Sequence, residues 1–189
     1  NVDKDLNKPG NIIGYYDGSS MDGTWDGTTY NREHTWPQSK GADSKTAMGA
    51  DMQSVRPANT HINGDRGNTA YGETGSYYDP DEVRIDNSTY RKENLGTYRG
   101  DCARVILYDY IVYGEQGGYK GSMYNGNAQL LSKLGGSGVF ESLDVLLKWH
   151  CQDPPSLTEM VRNDGGQNAQ GNRNPFVDFP ELLAAGFYI

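Results

Sequence analysis

At 189 residues the chain is long enough to bury one continuous core, and no apolar run approaches the roughly 20 residues of a bilayer-spanning helix. Only 35% of its residues are hydrophobic, mean hydropathy is −0.78, and 25 glycines with 14 tyrosines predict a soluble, loop-rich protein whose interior leans on aromatics. The formal charge of −8 counts against a polyanionic partner, since phosphate binding is driven by Lys and Arg releasing counterions, but a local basic groove or a bound divalent cation can reverse the potential where a substrate sits.

Residues 1–30 alternate short apolar pieces, Ile12-Ile13 and Tyr15-Tyr16, with Gly and Asp turns, and read as an irregular lead into the first strand. Residues 31–56 carry two candidate strands around a Gly/Ser/Lys-rich loop from Ser39 to Gly49. Pro57 is expected in the first turn of a helix running to about Gly67, where its missing N–H costs nothing. A strand–loop–strand–helix unit is therefore predicted over about 28–69, followed by a surface loop around Tyr77, Tyr78, Pro80 and Asp81.

From Asp101 the periodicity becomes helical: Ala103, Ile106, Leu107, Tyr110 and Ile111 share one face of a helix ending near Gly114. Phe140, Leu143, Leu146 and Leu147 mark a second helix stopped by Pro154-Pro155, and Ser156 with Glu159 forms a capping box for a third. Neither a repeat nor a linker interrupts the chain. The fold class expected is α+β, one domain over 1–189 with a helical part over about 100–189.

Cys102 opens the first of these helices and Cys151 closes the second, so the two sulfurs would meet if the helices pack antiparallel. A disulfide there is expected, worth ~3–4 kcal/mol through loop closure, and would place the protein in a secreted or periplasmic compartment. Two buried free thiols are the alternative.

Chemistry concentrates in Asn31-Arg32-Glu33-His34-Thr35-Trp36-Pro37 and in the segment from Asp51 to Asn68. Glu carboxylate and Asn amide oxygens suit a hard cation such as Mg²⁺, which keeps several waters, and an imidazole titrating near neutrality can take a proton from attacking water. Adjacent strand residues face opposite sides, so Glu33 and His34 share one site only if the strand ends or bulges there, as Pro37 just beyond would allow. Asn59 and Asn63 lie one helical turn apart, whereas His61 faces elsewhere, which makes His34 the better base. Trp36 is expected to pack beneath the site.

Together these segments resemble bacterial endonuclease I, a family of periplasmic and secreted nonspecific nucleases with a ββα-metal (His-Me finger) motif. The resemblance extends to Arg99-Gly100-Asp101-Cys102-Ala103-Arg104, to Leu147-Lys148-Trp149-His150, and to Gln170-Gly171-Asn172-Arg173-Asn174-Pro175-Phe176-Val177-Asp178 with Pro180-Glu181. It implies His34 as general base and Glu33 with Asn63 as ligands of one ion, Mg²⁺ or alternatively Ca²⁺ or Mn²⁺. Compared with the family pattern the loop over 39–49 is short, 84–97 reads as an insertion, and Gly165-Gly166 replaces a more apolar helical stretch.

The reaction expected is in-line attack of water on a phosphodiester, with His34 accepting the proton and the cation stabilising charge on the phosphate and leaving oxygens, to give 5′-phosphate and 3′-hydroxyl ends. Candidate phosphate contacts are Arg32, Arg56, Arg66, Arg99, Arg162 and Arg173, with Asn59 as a further substrate contact, although any of these arginines can instead be spent in a salt bridge such as Asp65–Arg66 or Asp101–Arg104. Gln170 to Asn174 reads as a turn that orders the C-terminal segment. Nothing in the sequence forms a base-reading helix or basic arm, so double- and single-stranded DNA, and RNA, are all expected substrates of a monomer. Two alternatives stay open: an extracellular ribonuclease with little activity on DNA, and a noncatalytic metal- or carbohydrate-binding module.

Overall fold

The computed structural model describes residues 2–85, 88–91, 98–113 and 138–183. Three antiparallel two-stranded sheets occur among them. In the first, β1 (Asn11–Ile13) pairs with β2 (Ser20–Asp22). The N-terminal region is thus a hairpin rather than an irregular lead. It is stitched to the next sheet where Tyr15 N–H donates to the Pro57 carbonyl at 2.9 Å.

The second sheet joins β3 (Tyr30–His34) to β4 (Val55–Asn59), with Glu33 opposite Arg56 and His34 opposite Val55. Between them lie a 3₁₀ turn (Gln38–Lys40) and a four-residue helix α1 (Ala47–Ala50). Helix α2 (Thr60–Arg66) follows at once, and Asn59 caps it by accepting from the His61 and Ile62 N–H groups. Pro57 lies inside β4 and not in the first turn of that helix, which corrects the sequence expectation. The capping side chain of Asn59 is the stronger start signal, and a proline is tolerated in a two-stranded ribbon that has no interior strand. The order strand, strand, helix is as expected.

The third sheet pairs β5 (Glu82–Ile85) with β6 (Ser88–Arg91) and overlaps the stretch 84–97 read as an insertion. Helix α3 (Arg99–Tyr113) then runs through the centre of the molecule. Its residues from Gly100 to Tyr110 are all wholly or largely buried, on every side, while Ile111 is 49% exposed. The one-face pattern assigned to it, Ile111 included, therefore fails, because this helix is surrounded rather than half-buried. Helices α4 (Leu143–Gln152), α5 (Leu157–Gln170) and α6 (Pro175–Asp178) complete the described elements. The capping box at the start of α5 is formed as expected, Ser156 and Glu159 each bonding the other's backbone N–H.

The core is aromatic: Tyr16, Trp36, Tyr71, Phe140, Trp149 and Phe176 surround Cys102, Ile106 and Leu107 of α3. Such rings fill volume with few rotatable bonds, and their polar tips demand partners when buried. Arg104, fully buried on α3, finds its partner in Glu159, with Nε and Nη2 on the two carboxylate oxygens at 2.9 and 2.5 Å, and a further contact to Asp101 at 3.1 Å. Asn172 and Gln170 both donate to Asp51, and Asn174 caps α6 while donating to the Arg104 carbonyl, so this polar turn orders the C-terminal segment.

The expected disulfide is not formed: Cys102 and Cys151 are both free thiols. Helices α3 and α4 do pack together, but Cys102 faces the core and Cys151 faces solvent. On α4 the buried positions are Leu143, Leu146, Trp149 and His150, while Cys151 after them is exposed.

Candidate active site

Strand β3 is regular through His34, with no bulge in its pairing, so its side chains alternate strictly. Tyr30, Arg32 and His34 fall on one face and Asn31 and Glu33 on the other. The strand ends at His34 without bringing Glu33 round to join it.

His34 is half-buried, and its Nε2 lies 3.1 Å from the Gly49 carbonyl oxygen, with the Gln38 side-chain amide 3.3 Å from the same nitrogen. A carbonyl can only accept, so in that pairing Nε2 carries the hydrogen and Nδ1 keeps the lone pair. Gly49 is placed for this by crowding: a Cβ on it would stand 2.1 and 2.4 Å from the Asp43 and Ala42 carbonyl oxygens. Burial lowers the His34 pKa from its ordinary value, against the pull of the Gly49 and Arg32 carbonyls in the other direction. The ring is therefore held as neutral imidazole at neutral pH, the form that accepts a proton.

Glu33 points the other way and is 2% exposed. Its Oε1 accepts from Tyr16 Oη at 2.5 Å and from Tyr71 Oη at 3.4 Å, and meets Arg66 Nη1 at 3.2 Å; none of these contacts uses Oε2. Burial raises the Glu33 pKa, with Arg66 and the two tyrosine hydroxyls opposing. Arg66 also donates to the carbonyls of His34 (3.3 Å), Thr35 (2.8 Å) and Gly67 (3.1 Å), so it clamps the end of β3 onto α2. The Asp65–Arg66 pair read from sequence is replaced by this clamp.

Asn63, from α2, donates through Nδ2 to Asn31 Oδ1 at 2.5 Å and weakly to the Arg32 carbonyl at 3.4 Å. It thereby sits on the Asn31 and Glu33 side of β3, and its amide nitrogen is the end already engaged. A carboxylate oxygen and an amide oxygen are hard donors, suited to a cation that keeps much of its water, whereas a fully protein-ligated site would need more. Among the described residues no group of three or more His, Cys, Asp and Glu gathers to make such a closed site.

His34 opens on a cleft of about 770 Å³ that also takes in Arg32, Arg56, Arg162 and Trp25. Among the described residues its acidic lining is Asp3 alone, ion-paired with Arg162 at 2.5 Å. Arg56 is buried over the Tyr15 ring at 5.3 Å and has no carboxylate partner among the described residues. Burial, then the like charge of Arg56, pull the Arg162 pKa down to about 10, against the attraction of Asp3. Two crowded guanidiniums are what an anion would relieve. The cleft is thus locally basic in a chain of net charge −8.

Of the other candidates, Arg66 is buried in its clamp, Arg99 is held by Asp79 and Asp81, and Arg173 by Asp178 and Asp164. None of the three lines the cleft, and the Asn59 side chain is spent as a cap. Trp36 packs in the core, 2% exposed. Sequence reasoning missed Tyr16, Tyr71 and Gly49, whose roles rest on contacts across the fold. The one available signal was the number of tyrosines, each needing a hydroxyl partner if buried.

The sequence matches the endonuclease I family over residues 7–181. It is 33% identical over 192 residues to a protein named extracellular ribonuclease from Bacillus amyloliquefaciens, and 34% identical over 197 residues to one of the same name from Bacillus subtilis (strain 168). Both alignments take in 95% of this chain, which spans 62% of the length of these curated relatives. The chain belongs to the endonuclease I family.

Proposed function

We propose that this chain is a phosphodiester-cleaving endonuclease with His34 as its general base. The observation that carries the reading is a half-buried imidazole, held neutral and tied to the Gly49 carbonyl, opening on a cleft whose other charged residues are chiefly arginines. His34 accepts the proton of the attacking water, while Arg32 and Arg56 hold phosphate oxygens of the chain being cut. The order β3–β4–α2, with Glu-His at the end of one strand and Asn on the helix, supports a ββα-metal (His-Me finger) site. The family resemblance assigns one divalent cation, Mg²⁺ in the first instance, to Glu33 and Asn63. Both lie on the side of β3 away from His34, so a cation held there would stabilise charge developing on the phosphate only once the end of the strand turned Glu33 toward the cleft.

Phosphate contacts alone admit DNA and RNA alike. The relatives' name favours RNA as the principal polymer, and extracellular relatives favour secretion. Among the described residues no helix is long and apolar enough to cross a membrane.

Incubation with plasmid, single-stranded DNA and RNA, in Mg²⁺, Ca²⁺ or EDTA, tests the proposal. Cleavage that needs the metal and that falls at least ~100-fold in His34→Ala is expected. An inert wild-type protein on all three polymers, or undiminished cleavage by the variant, would overturn it.

A further inference from the structure

One residue lining the cleft takes no part in the proposed catalysis. Trp25 precedes β3, and its side chain is 54% exposed, whereas the other two tryptophans, Trp36 and Trp149, are 2% and 0% exposed. It is held in place nonetheless. Tyr30 packs edge-on against it, with centroids 5.2 Å apart and planes at 84°, and the Arg32 guanidinium lies over its ring at 5.6 Å. An indole steadied by two neighbours and left open to solvent is already ordered for a partner with a flat apolar face.

The neighbours specify that partner. Tyr30, Arg32 and His34 occupy one face of β3 and line the same cleft as Trp25, and Arg56 and Arg162 are also among its lining residues. Alternate residues along a strand are ~7 Å apart, so Arg32 stands about that far from His34, and Trp25 lies beyond it. A polyanion whose phosphate reaches His34 would therefore lay a neighbouring nucleotide across Arg32 and Trp25. In a duplex both faces of an internal base are covered by its stacked neighbours, whereas an unpaired base presents a face to an aromatic side chain.

We propose that Trp25 is a base-stacking platform, and that the cleft takes single-stranded nucleic acid, with one base adjacent to the scissile nucleotide lying on the indole and its phosphate on Arg32. This rests on the nuclease reading for the polymer class but not on His34 as the base. Stacking on an aromatic side chain tolerates any base, so the platform adds affinity for single strands without sequence preference.

Trp36 and Trp149 are buried and out of reach of a ligand in the cleft, so a change in tryptophan emission on adding one reports on Trp25 over their constant background. In a His34→Ala protein kept in EDTA, oligouridine and oligothymidine should quench the tryptophan emission in a saturable way. A short blunt duplex should not, and Trp25→Ala in the same background should abolish the change. In the active protein, Trp25→Ala should raise KM for single strands roughly tenfold with kcat little changed and leave the duplex KM alone, while Trp25→Phe restores most of the loss. Absence of quenching, or a Trp25→Ala effect equal on single strands and duplex, overturns the platform while leaving the nuclease assignment intact. If the wild-type protein cuts no polymer, the nuclease assignment falls, and the quenching experiment still decides the platform.

Discussion

Arg66 Nη1 and Glu33 Oε1 meet at 3.2 Å with their side chains 1% and 3% exposed, joining the helix of the ββα unit to its first strand inside the core. The guanidinium also lies 4.6 Å from the centre of the Tyr71 ring and holds the carbonyls of His34 and Thr35. One residue of α2 thus fixes both the carboxylate proposed to bind metal and the backbone that carries the proposed base. Replacing Arg66 with Met should cost about 3–5 kcal/mol, since it strands a buried carboxylate, and this should register as a lower urea midpoint. Adding Glu33→Gln should recover part of the loss; a single variant as stable as the wild type would refute the clamp.

The pH dependence follows from the His34 environment. Burial lowers its pKa, and a general base works only when unprotonated, so activity is lost as pH falls through that lowered value. The acidic limb of kcat/KM should therefore sit below the ordinary imidazole value of 6.5. A limb at or above that value would contradict the assignment of His34 as a desolvated base.

Arg56 should behave as a phosphate contact. Its replacement by Met should raise KM for nucleic acid with kcat nearly unchanged, and should reduce the slope of log affinity against log salt by about one. Circular dichroism should show the fold retained, because the Tyr15 contact it gives up is worth only about 0.5–2 kcal/mol. An unaltered salt slope would place Arg56 in a purely structural role.

The two thiols should differ sharply. Cys151 is exposed and should react with a thiol reagent in the native protein, whereas Cys102, at the centre of the core, should react only on unfolding. A reducing agent should leave the melting temperature unchanged. A reductant-sensitive melting temperature would restore the disulfide.

Much of the helical half was legible because its signals are local. Ser156 and Glu159 cap α5 within one turn, and Leu143 and Leu146 point α4 at the core by period alone. Pro57 misled because a proline's preference for a first helical turn competes with the capping strength of Asn59, and only the pairing of β4 with β3 shows which prevails. Ile111 misled because periodicity assumes one buried face, and α3 is buried all round.

The candidate site divides in the same way. His34 could be chosen from sequence, since side-chain chemistry and the alternation of a strand are properties of a few consecutive residues. The surroundings of Glu33 could not, because Tyr16, Tyr71 and Arg66 reach it from 17, 38 and 33 residues away. Which arginines face the cleft was likewise beyond reach, for a guanidinium on a long flexible stem goes to whichever carboxylate or carbonyl the fold sets beside it. By itself the sequence determined the family pattern, the strand–strand–helix order that ends at Arg66, and an imidazole to propose as the base. Tertiary packing decided the partners, since a buried charge is settled by what is nearest in space and not by what is nearest in the chain.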